Sequence, residues 1–342
     1  MDIKQLCFTL SDINGTSGDE SGVAQYIVKL LSDSGYDSYI DTLGNVIAHT
    51  GGNGKKILLV AHMDQVGLVV RGIDEKGFVL IDKVGGPDVR ILTGAEVTVH
   101  GKKDLYGVVC STPPHLLKAD DKKAGIDVSK LAVDVGYSAE QARKLISIGD
   151  RITMRSYKSE LAGNLIFCPA LDNRASVAAV LAAIESIKDK IKNISVNIQF
   201  SVQEEVGLVG AKTGAFAVMP DEAIVIDVGF GNDPYTDKTL TVDIGKGPSI
   251  GICPTLDKEL TTELTCICKE NNIPYQHDVM NRSTGTDADS INICGCGVKT
   301  ALLSVPLRYM HTAIETVNTD DIEYTAKLLS EYLLKREAES NA

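Results

Sequence analysis

Hydrophobic residues in this chain form short unbroken runs that alternate with helical repeats. The clearest run, residues 57–61, lies in the segment KILLVAHMDQVG. A run without polar positions is typical of a strand buried on both faces of a mostly parallel sheet. The run ends at His62, and Asp64 follows two residues later. Because alternate residues of a strand share a face, this imidazole and this carboxylate are expected on the same side.

The segment before this strand predicts a helix and a hairpin. Ser17 to Glu20 has the form of a capping box, and apolar residues follow at helical spacing until Gly35. Residues 36–49 alternate loosely around Leu43–Asn45, which is typical of a hairpin turn.

The pattern changes after Gly67. Residues 68–163 contain short β-like runs separated by glycines and charges, with one helical segment at residues 138–148. This stretch is predicted to be a compact β-rich insertion. Within it, the charged segment from His115 to Gly125, after two prolines, is expected to be an exposed and mobile loop.

Strands and helices alternate again from Asn164 onward. The pattern predicts a helix, a strand, a strand that ends at Asp227, a helix, a strand and a final helix, at residues 172–189, 194–202, 223–226, 257–271, 298–305 and from 319. Such alternation indicates an α/β fold with a parallel-rich sheet covered on both faces. Residues 1–67 and 164–342 are therefore expected to fold together as one discontinuous domain.

Charge and composition exclude several classes of protein. The net charge of −12 over 342 residues argues against a nucleic-acid surface and against anionic membrane. No apolar stretch approaches the length of a membrane span. The N-terminal residues lack the features of a signal peptide, so the eight cysteines are expected to be reduced thiols in the cytoplasm.

Polar residues at the ends of the later apolar runs are candidates for chemistry: Asp172, Glu204, Glu205, Asp227 and His311. In open α/β sheets, ligands collect outside the carboxyl ends of the strands. Together with His62, these residues suit two divalent metal ions that share a bridging carboxylate and activate a water. His62 would bind metal through one ring nitrogen, and Asp64 is placed to accept a hydrogen bond from the other.

Each candidate also has a purely structural explanation. Asp172 could cap its helix, Asp227 could lie in a turn, and His311 could be structural. Glu204 and Glu205 could form a solvated edge. As neighbours they would face apart on a regular strand, so they can serve one site only where the strand ends. In that case one would bind metal and the other would take the water's proton.

The motifs AHMDQVG, ALDNRAS, QEEVGLVGA, VIDVG and YMHTAIE, in this order, resemble those of the glutamyl or tetrahedral aminopeptidase family of co-catalytic metallopeptidases. The resemblance covers essentially the whole chain. It implies a three-layer α/β/α zinc-peptidase-like domain at residues 1–67 and 164–342. It further implies that residues 68–163 form a small PDZ-like β-barrel used for dimerisation.

The same resemblance implies roles for the candidate residues. The family pattern assigns one metal ion to His62 and Asp227 and the other to Glu205 and His311. Asp172 would bridge the two ions, which are zinc or cobalt in the family. Glu204 would be the general base, and Asp64 would orient His62. Thr286 and Asp287 match a stretch near the substrate, and His115 would lie near a neighbouring subunit's active site.

The predicted function is removal of N-terminal residues from peptides. The alternatives are a related two-metal carboxypeptidase or N-deacylase, and a glycoside hydrolase (endoglucanase) that uses Glu204 and Glu205 as its acid pair. The absence of tryptophan argues against a sugar-binding groove. The insertion contains none of the predicted ligands, and its strand edges need covering. It is therefore expected to serve assembly rather than metal chemistry, and the resemblance implies dimers that assemble into a dodecamer.

Overall fold

The computed structural model describes residues 1–116, 127–155 and 157–340. Its α-helices are α1 (Ile3–Ser11), α2 (Ser21–Asp33), α3 (Ala139–Leu145), α4 (Leu171–Ser186), α5 (Val209–Val218), α6 (Lys258–Glu270), α7 (Ala288–Ile291) and α8 (Thr319–Glu339). Short 3-10 helices are η1 (Val89–Ile91), η2 (Pro114–Leu116) and η3 (Val128–Lys130). The loop predicted from His115 to Gly125 lies largely outside the described residues.

The strands belong to two separate sheets. They are β1 (Asp37–Ile40), β2 (Val46–Gly51), β3 (Lys56–His62), β4 (Gly67–Ile73), β5 (Val79–Val84), β6 (Glu96–His100), β7 (Asp104–Cys110), β8 (Ala132–Asp134), β9 (Arg151–Met154), β10 (Ser159–Glu160), β11 (Leu165–Phe167), β12 (Ser195–Ser201), β13 (Glu222–Phe230), β14 (Ser249–Ile252), β15 (Gln276–Val279), β16 (Lys299–Arg308) and β17 (Thr316–Asn318). The predicted hairpin before β3 is confirmed, because β1 and β2 pair antiparallel.

The unbroken apolar runs form the centre of the larger sheet. Within the described residues this sheet has 11 strands, and its main path is β1-β2-β12-β3-β13-β16-β17-β11-β10. Strand β3 lies between β12 and β13 and is parallel to both, and β13 is parallel to β16. His62 pairs with Ser201 where β3 and β12 end. The carboxyl ends of these strands therefore meet at one edge of the sheet.

Helices cover both faces of this sheet. Ile57 and Leu59 of β3 belong to the main hydrophobic core, which also contains the buried faces of α1, α2, α4 and α8. Leu58 and Val60 belong to a second core with buried residues of α5 and α7. This division follows from the two-residue repeat of a strand. The predicted three-layer α/β/α arrangement is confirmed.

The second sheet is a closed barrel with the strand order β4-β5-β8-β7-β6-β9, within the described residues. It has its own hydrophobic core, separate from the cores of the large sheet. The barrel strands run from Gly67 to Met154, whereas β10 pairs with β11 in the large sheet. The division of the chain into residues 68–163 and the remainder stays a prediction.

Two local predictions are wrong. Ser17 does not cap α2: its hydroxyl donates to Asp64 Oδ2 at 2.6 Å, and the N-cap residue, Glu20, makes no side-chain cap bond. Strand β13 does not end at Asp227, because its pairing with β16 continues to Phe230. In both places a contact with a distant segment overrides the local pattern.

None of the described helices is long and apolar enough to cross a membrane.

Candidate metal centre

The carboxyl edge of the large sheet brings together all six residues predicted to bind metal or act as the base. These residues are His62, Asp172, Glu204, Glu205, Asp227 and His311. Ligand atoms of His62, Asp172 and Glu205 all lie within 4.8 Å of one another, and so do those of His62, Glu204 and Asp227. The close approach of so many carboxylates to two imidazoles makes this edge the candidate site.

The first half of the cluster surrounds His62, which is 2% exposed. Its Nε2 atom lies 3.1 Å from Asp172 Oδ1 and 3.6 Å from Asp227 Oδ1. Glu204 Oε2 is 4.0 Å from the same nitrogen. His62 is the last residue of β3 and Asp227 lies in the neighbouring β13, so the sheet itself holds these two side chains close together.

The second half surrounds His311. Its Nε2 atom lies 3.3 Å from Asp172 Oδ2 and 3.4 Å from Glu205 Oε2. Asp172 therefore lies between the two imidazoles and directs one carboxylate oxygen toward each. It occupies the first turn of α4, at a point where the backbone leaves helical geometry and the peptide bond to Asn173 is cis.

Glu204 and Glu205 reach one site because β12 has already ended at Ser201. The turn that follows has a left-handed residue, Gln203, with φ of 57°. Asp64 Oδ1 accepts from the Glu204 amide at 3.1 Å, and Asp64 Oδ2 accepts from the Glu205 amide at 3.3 Å. The same carboxylate accepts from Ser17, as described above. Asp64 therefore fixes the turn that carries both glutamates.

In the part of the chain that the structure describes, the outer nitrogen of each imidazole faces only acceptors. His62 Nδ1 lies 3.2 Å from the Asp64 carbonyl oxygen and 3.4 Å from Asp64 Oδ1. His311 Nδ1 lies 2.8 Å from the carbonyl oxygen of Gly86. Because neither partner can donate, both Nδ1 atoms carry the proton. Both Nε2 atoms are then directed into the cluster, where metal binding displaces any proton that they carry.

The cluster has more buried negative charge than its two imidazoles can balance. Burial, reinforced by Asp227 and Asp287, raises the pKa of Glu204 to about 10 against the effect of His62. Burial also raises the pKa of Glu205 and of Asp227.

The same negative charge makes the imidazole of His311 easier to protonate. Burial would lower the pKa of His311, but its contacts with Asp172 and Glu205 raise that pKa to about 11. Glu205 Oε1 is also buried, with no hydrogen-bond partner among the residues that the structure describes. Carboxylate oxygens and imidazoles are suitable ligands for divalent transition metals, and such ions would supply the missing positive charge. The residues present therefore fit divalent ions.

Glu315 is a positioning residue that the sequence pattern did not reveal. It is 2% exposed, its Oε1 accepts from the His311 amide at 2.7 Å, and its Oε2 accepts from the Asp172 amide at 3.0 Å. One carboxylate thus holds the backbones of two predicted ligands. The available signal was an acidic residue inside the apolar segment that follows His311.

Replacing Glu315 with alanine is expected to weaken metal binding by roughly 10–100-fold, the usual effect of removing an outer-shell partner. The variant leaves the backbone amides of Asp172 and His311 without their acceptor and frees the backbone on both sides of the cluster. Equilibrium dialysis against a zinc buffer measures the change. Glu323→Ala removes an exposed glutamate of α8 and is the matched control. Equal zinc affinity in the two variants would contradict this role.

The residues predicted to contact substrate lie in different surroundings. Asp287 is 1% exposed and accepts from the Ser201 hydroxyl at 2.6 Å, next to His62, and burial raises its pKa to about 7. Thr286 is buried beside it. His115 lies on the exposed turn η2, directly before residues 117–126, and the described structure shows no hydrogen bond between His115 and the cluster.

Comparison with known proteins agrees with this geometry. Residues 44–328 match the profile of the M42 glutamyl aminopeptidase family. A putative aminopeptidase of Acetivibrio thermocellus is 36% identical over 337 residues, which cover 96% of this chain and 98% of that protein. The lysyl aminopeptidase of Pyrococcus furiosus is 35% identical over 319 residues, 92% of each chain. The solved Pyrococcus horikoshii TET1 peptidase has a TM-score of 0.86 at 34% identity, covering 97% of this chain and 99% of that chain.

A sheet covered by helices on both faces, with imidazoles and carboxylates at its carboxyl edge, is the architecture of a metal-dependent hydrolase. The chain belongs to the M42 glutamyl aminopeptidase family, whose members depend on metal. It is therefore an aminopeptidase, and the resemblance based on five short motifs is confirmed. Membership of this family favours the aminopeptidase over the carboxypeptidase, N-deacylase and glycoside hydrolase alternatives.

Proposed function

We propose that this enzyme removes N-terminal residues from peptides with a water activated at a two-metal site. The observation that carries the proposal is the position of Asp172, whose two oxygens face different imidazoles. A carboxylate in that position can bind two ions at once. When bound, two divalent ions supply a water of lowered pKa and polarise the scissile carbonyl.

The proposed ligand sets follow the two halves of the cluster. His62 and Asp227 would hold one ion, Glu205 and His311 would hold the other, and Asp172 would contact both. Zinc and cobalt both suit this combination of nitrogen and oxygen ligands. On distance alone Glu204 is also a candidate ligand, since its oxygen belongs to a set with His62 and Asp227.

Glu204 is proposed to act as the general base because the resemblance assigns that role to the first glutamate of the pair. Its carboxylate takes a proton from the attacking water, whose oxygen forms a bond to the scissile carbonyl carbon. The carbon–nitrogen bond then breaks, and Glu204 returns the proton to the leaving amine. The hydrogen bond from its backbone amide to Asp64 holds the backbone of Glu204 beside the cluster.

The proposed contacts with the substrate follow from the same resemblance. The substrates proposed are peptides with a free N-terminal amine, with Asp287, Thr286 and a partner subunit's loop around His115 near the binding site. The proposed location is the cytoplasm.

The substrate class can be tested with matched chromogenic substrates. The enzyme is expected to hydrolyse free-amine substrates, to be inactive on N-acetylated and C-terminal substrates and on soluble cellulose, and to lose activity with a chelator. Added zinc or cobalt should restore the activity. Hydrolysis of the N-acetylated substrate or of cellulose at a similar rate would contradict the proposal.

The barrel is proposed to form dimers that assemble into a dodecamer. The Pyrococcus horikoshii TET1 peptidase can assemble into a tetrahedron or a large octahedral shell, and the fold is shared along nearly the whole chain. Light scattering is expected to give a mass far above the 36.6 kDa of one chain. A fully active, metal-loaded monomer would contradict the assembly, whereas a dimer would support the barrel's role and contradict the shell.

A further inference from the structure

The loop between β5 and η1 of the barrel contacts the candidate metal centre directly. His311 Nδ1 donates to the carbonyl oxygen of Gly86 at 2.8 Å. The Asp88 amide donates to the carbonyl oxygen of His311 at 3.0 Å. Ala313, two residues after His311, packs against the barrel's hydrophobic core. The segment that carries His311 is therefore held against the barrel at three points.

The same loop packs on Glu205. A methyl group added at Gly85 would lie 3.2 Å from Glu205 Cβ and 3.3 Å from its carbonyl oxygen. A methyl group at Gly86 would lie 3.3 Å from His311 Nδ1. The chain has glycine at both positions, which lets the loop backbone approach both side chains closely.

The two halves of the cluster differ in what surrounds them. The outer nitrogen of His62 is held by Asp64, a residue of the large-sheet edge. The outer nitrogen of His311 is held by the barrel, and the backbone of His311 has a left-handed φ of 62°, which an L-residue rarely adopts. The orientation of His311 therefore depends on barrel contacts in a way that the orientation of His62 does not.

We propose that the barrel loop Gly85–Asp88 positions His311 and Glu205, so that the barrel is part of one of the two metal sites. This inference rests on the proposed two-metal function. The insertion then has a role in metal binding as well as in assembly. The sequence alone predicts a role in assembly and none in metal chemistry.

The test is zinc binding by full-length chains in competition with a chromophoric chelator. Gly86→Ala and Gly85→Ala are expected to lower the affinity for one of the two zinc ions by roughly 10-fold or more. The affinity for the other ion should stay unchanged. Activity lost at limiting zinc should return when zinc is added. Gly136→Ala is the matched control for Gly85→Ala, since Gly136 has φ of 70° against 71° and an added methyl group meets nothing within 4 Å.

The outcomes separate this inference from the proposed function. Loss of one zinc ion in both loop variants, with Gly136→Ala unchanged, supports the inference. Two unchanged ions in both loop variants overturn the inference and leave the two-metal function standing. Equal weakening of both ions in all three variants also overturns it, because the effect would then be general destabilisation. A wild-type chain that binds fewer than two ions overturns both proposals.

Discussion

Replacement of Glu204 with glutamine is expected to lower the turnover number by ~10²–10⁴-fold while the protein keeps its metal ions. Glutamine has nearly the same shape but cannot take a proton from water. The backbone amide of residue 204 would still donate to Asp64, so the turn that carries Glu205 should remain in place. Steady-state kinetics together with metal analysis of the same sample measure both properties.

The neighbouring glutamate supplies the control for this result. Glu205→Gln should lose metal, because it removes a carboxylate oxygen that lies 3.4 Å from His311 Nε2. If Glu204→Gln lost the metal and Glu205→Gln kept it, the roles of the two glutamates would be reversed. Wild-type turnover in Glu204→Gln would contradict its assignment as the base.

Replacement of Asp172 with alanine is expected to remove both metal ions and nearly all activity. Asp172 is the one proposed ligand that faces both imidazoles, at 3.1 Å and 3.3 Å. Its loss leaves neither ion with a complete ligand set. Mass spectrometry of the dialysed protein should give a metal-to-protein ratio near zero, with activity that added zinc does not restore.

Asp227→Ala is the matched comparison, since it removes a single buried carboxylate that lies 3.6 Å from His62 Nε2. We expect this variant to keep the ion held by Glu205 and His311. Thermal denaturation of both variants with excess chelator checks that their folds are equally stable. Two ions retained in Asp172→Ala would contradict the bridging role.

The sequence was most informative where local pattern and tertiary structure agree. The unbroken run before His62 correctly predicts a buried central strand, because hydrophobic residues on both faces can be accommodated only between two helical layers. The dependence of the glutamate pair on the end of a strand was also predicted, and β12 ends at Ser201 as required.

Local pattern failed where a distant contact decides the structure. Ser17 has the right spacing for a capping box, yet its hydroxyl donates to Asp64, 47 residues away in the chain. Asp227 and Gly229 suggest a turn, but pairing with β16 keeps them in a strand. The bond between His311 and Gly86 joins residues 225 positions apart. No periodicity or spacing encodes such a contact, so the proposed role of the barrel at the cluster could be inferred only from the structure.

His62, Asp227, Glu205 and His311 are proposed to hold two ions that Asp172 bridges. Anomalous diffraction at the zinc absorption edge, on crystals grown with zinc, tests this claim most directly. We predict two peaks, one touching His62 and Asp227 and the other touching Glu205 and His311, with Asp172 in contact with both. A single peak, or none at this edge of the sheet, would contradict the claim.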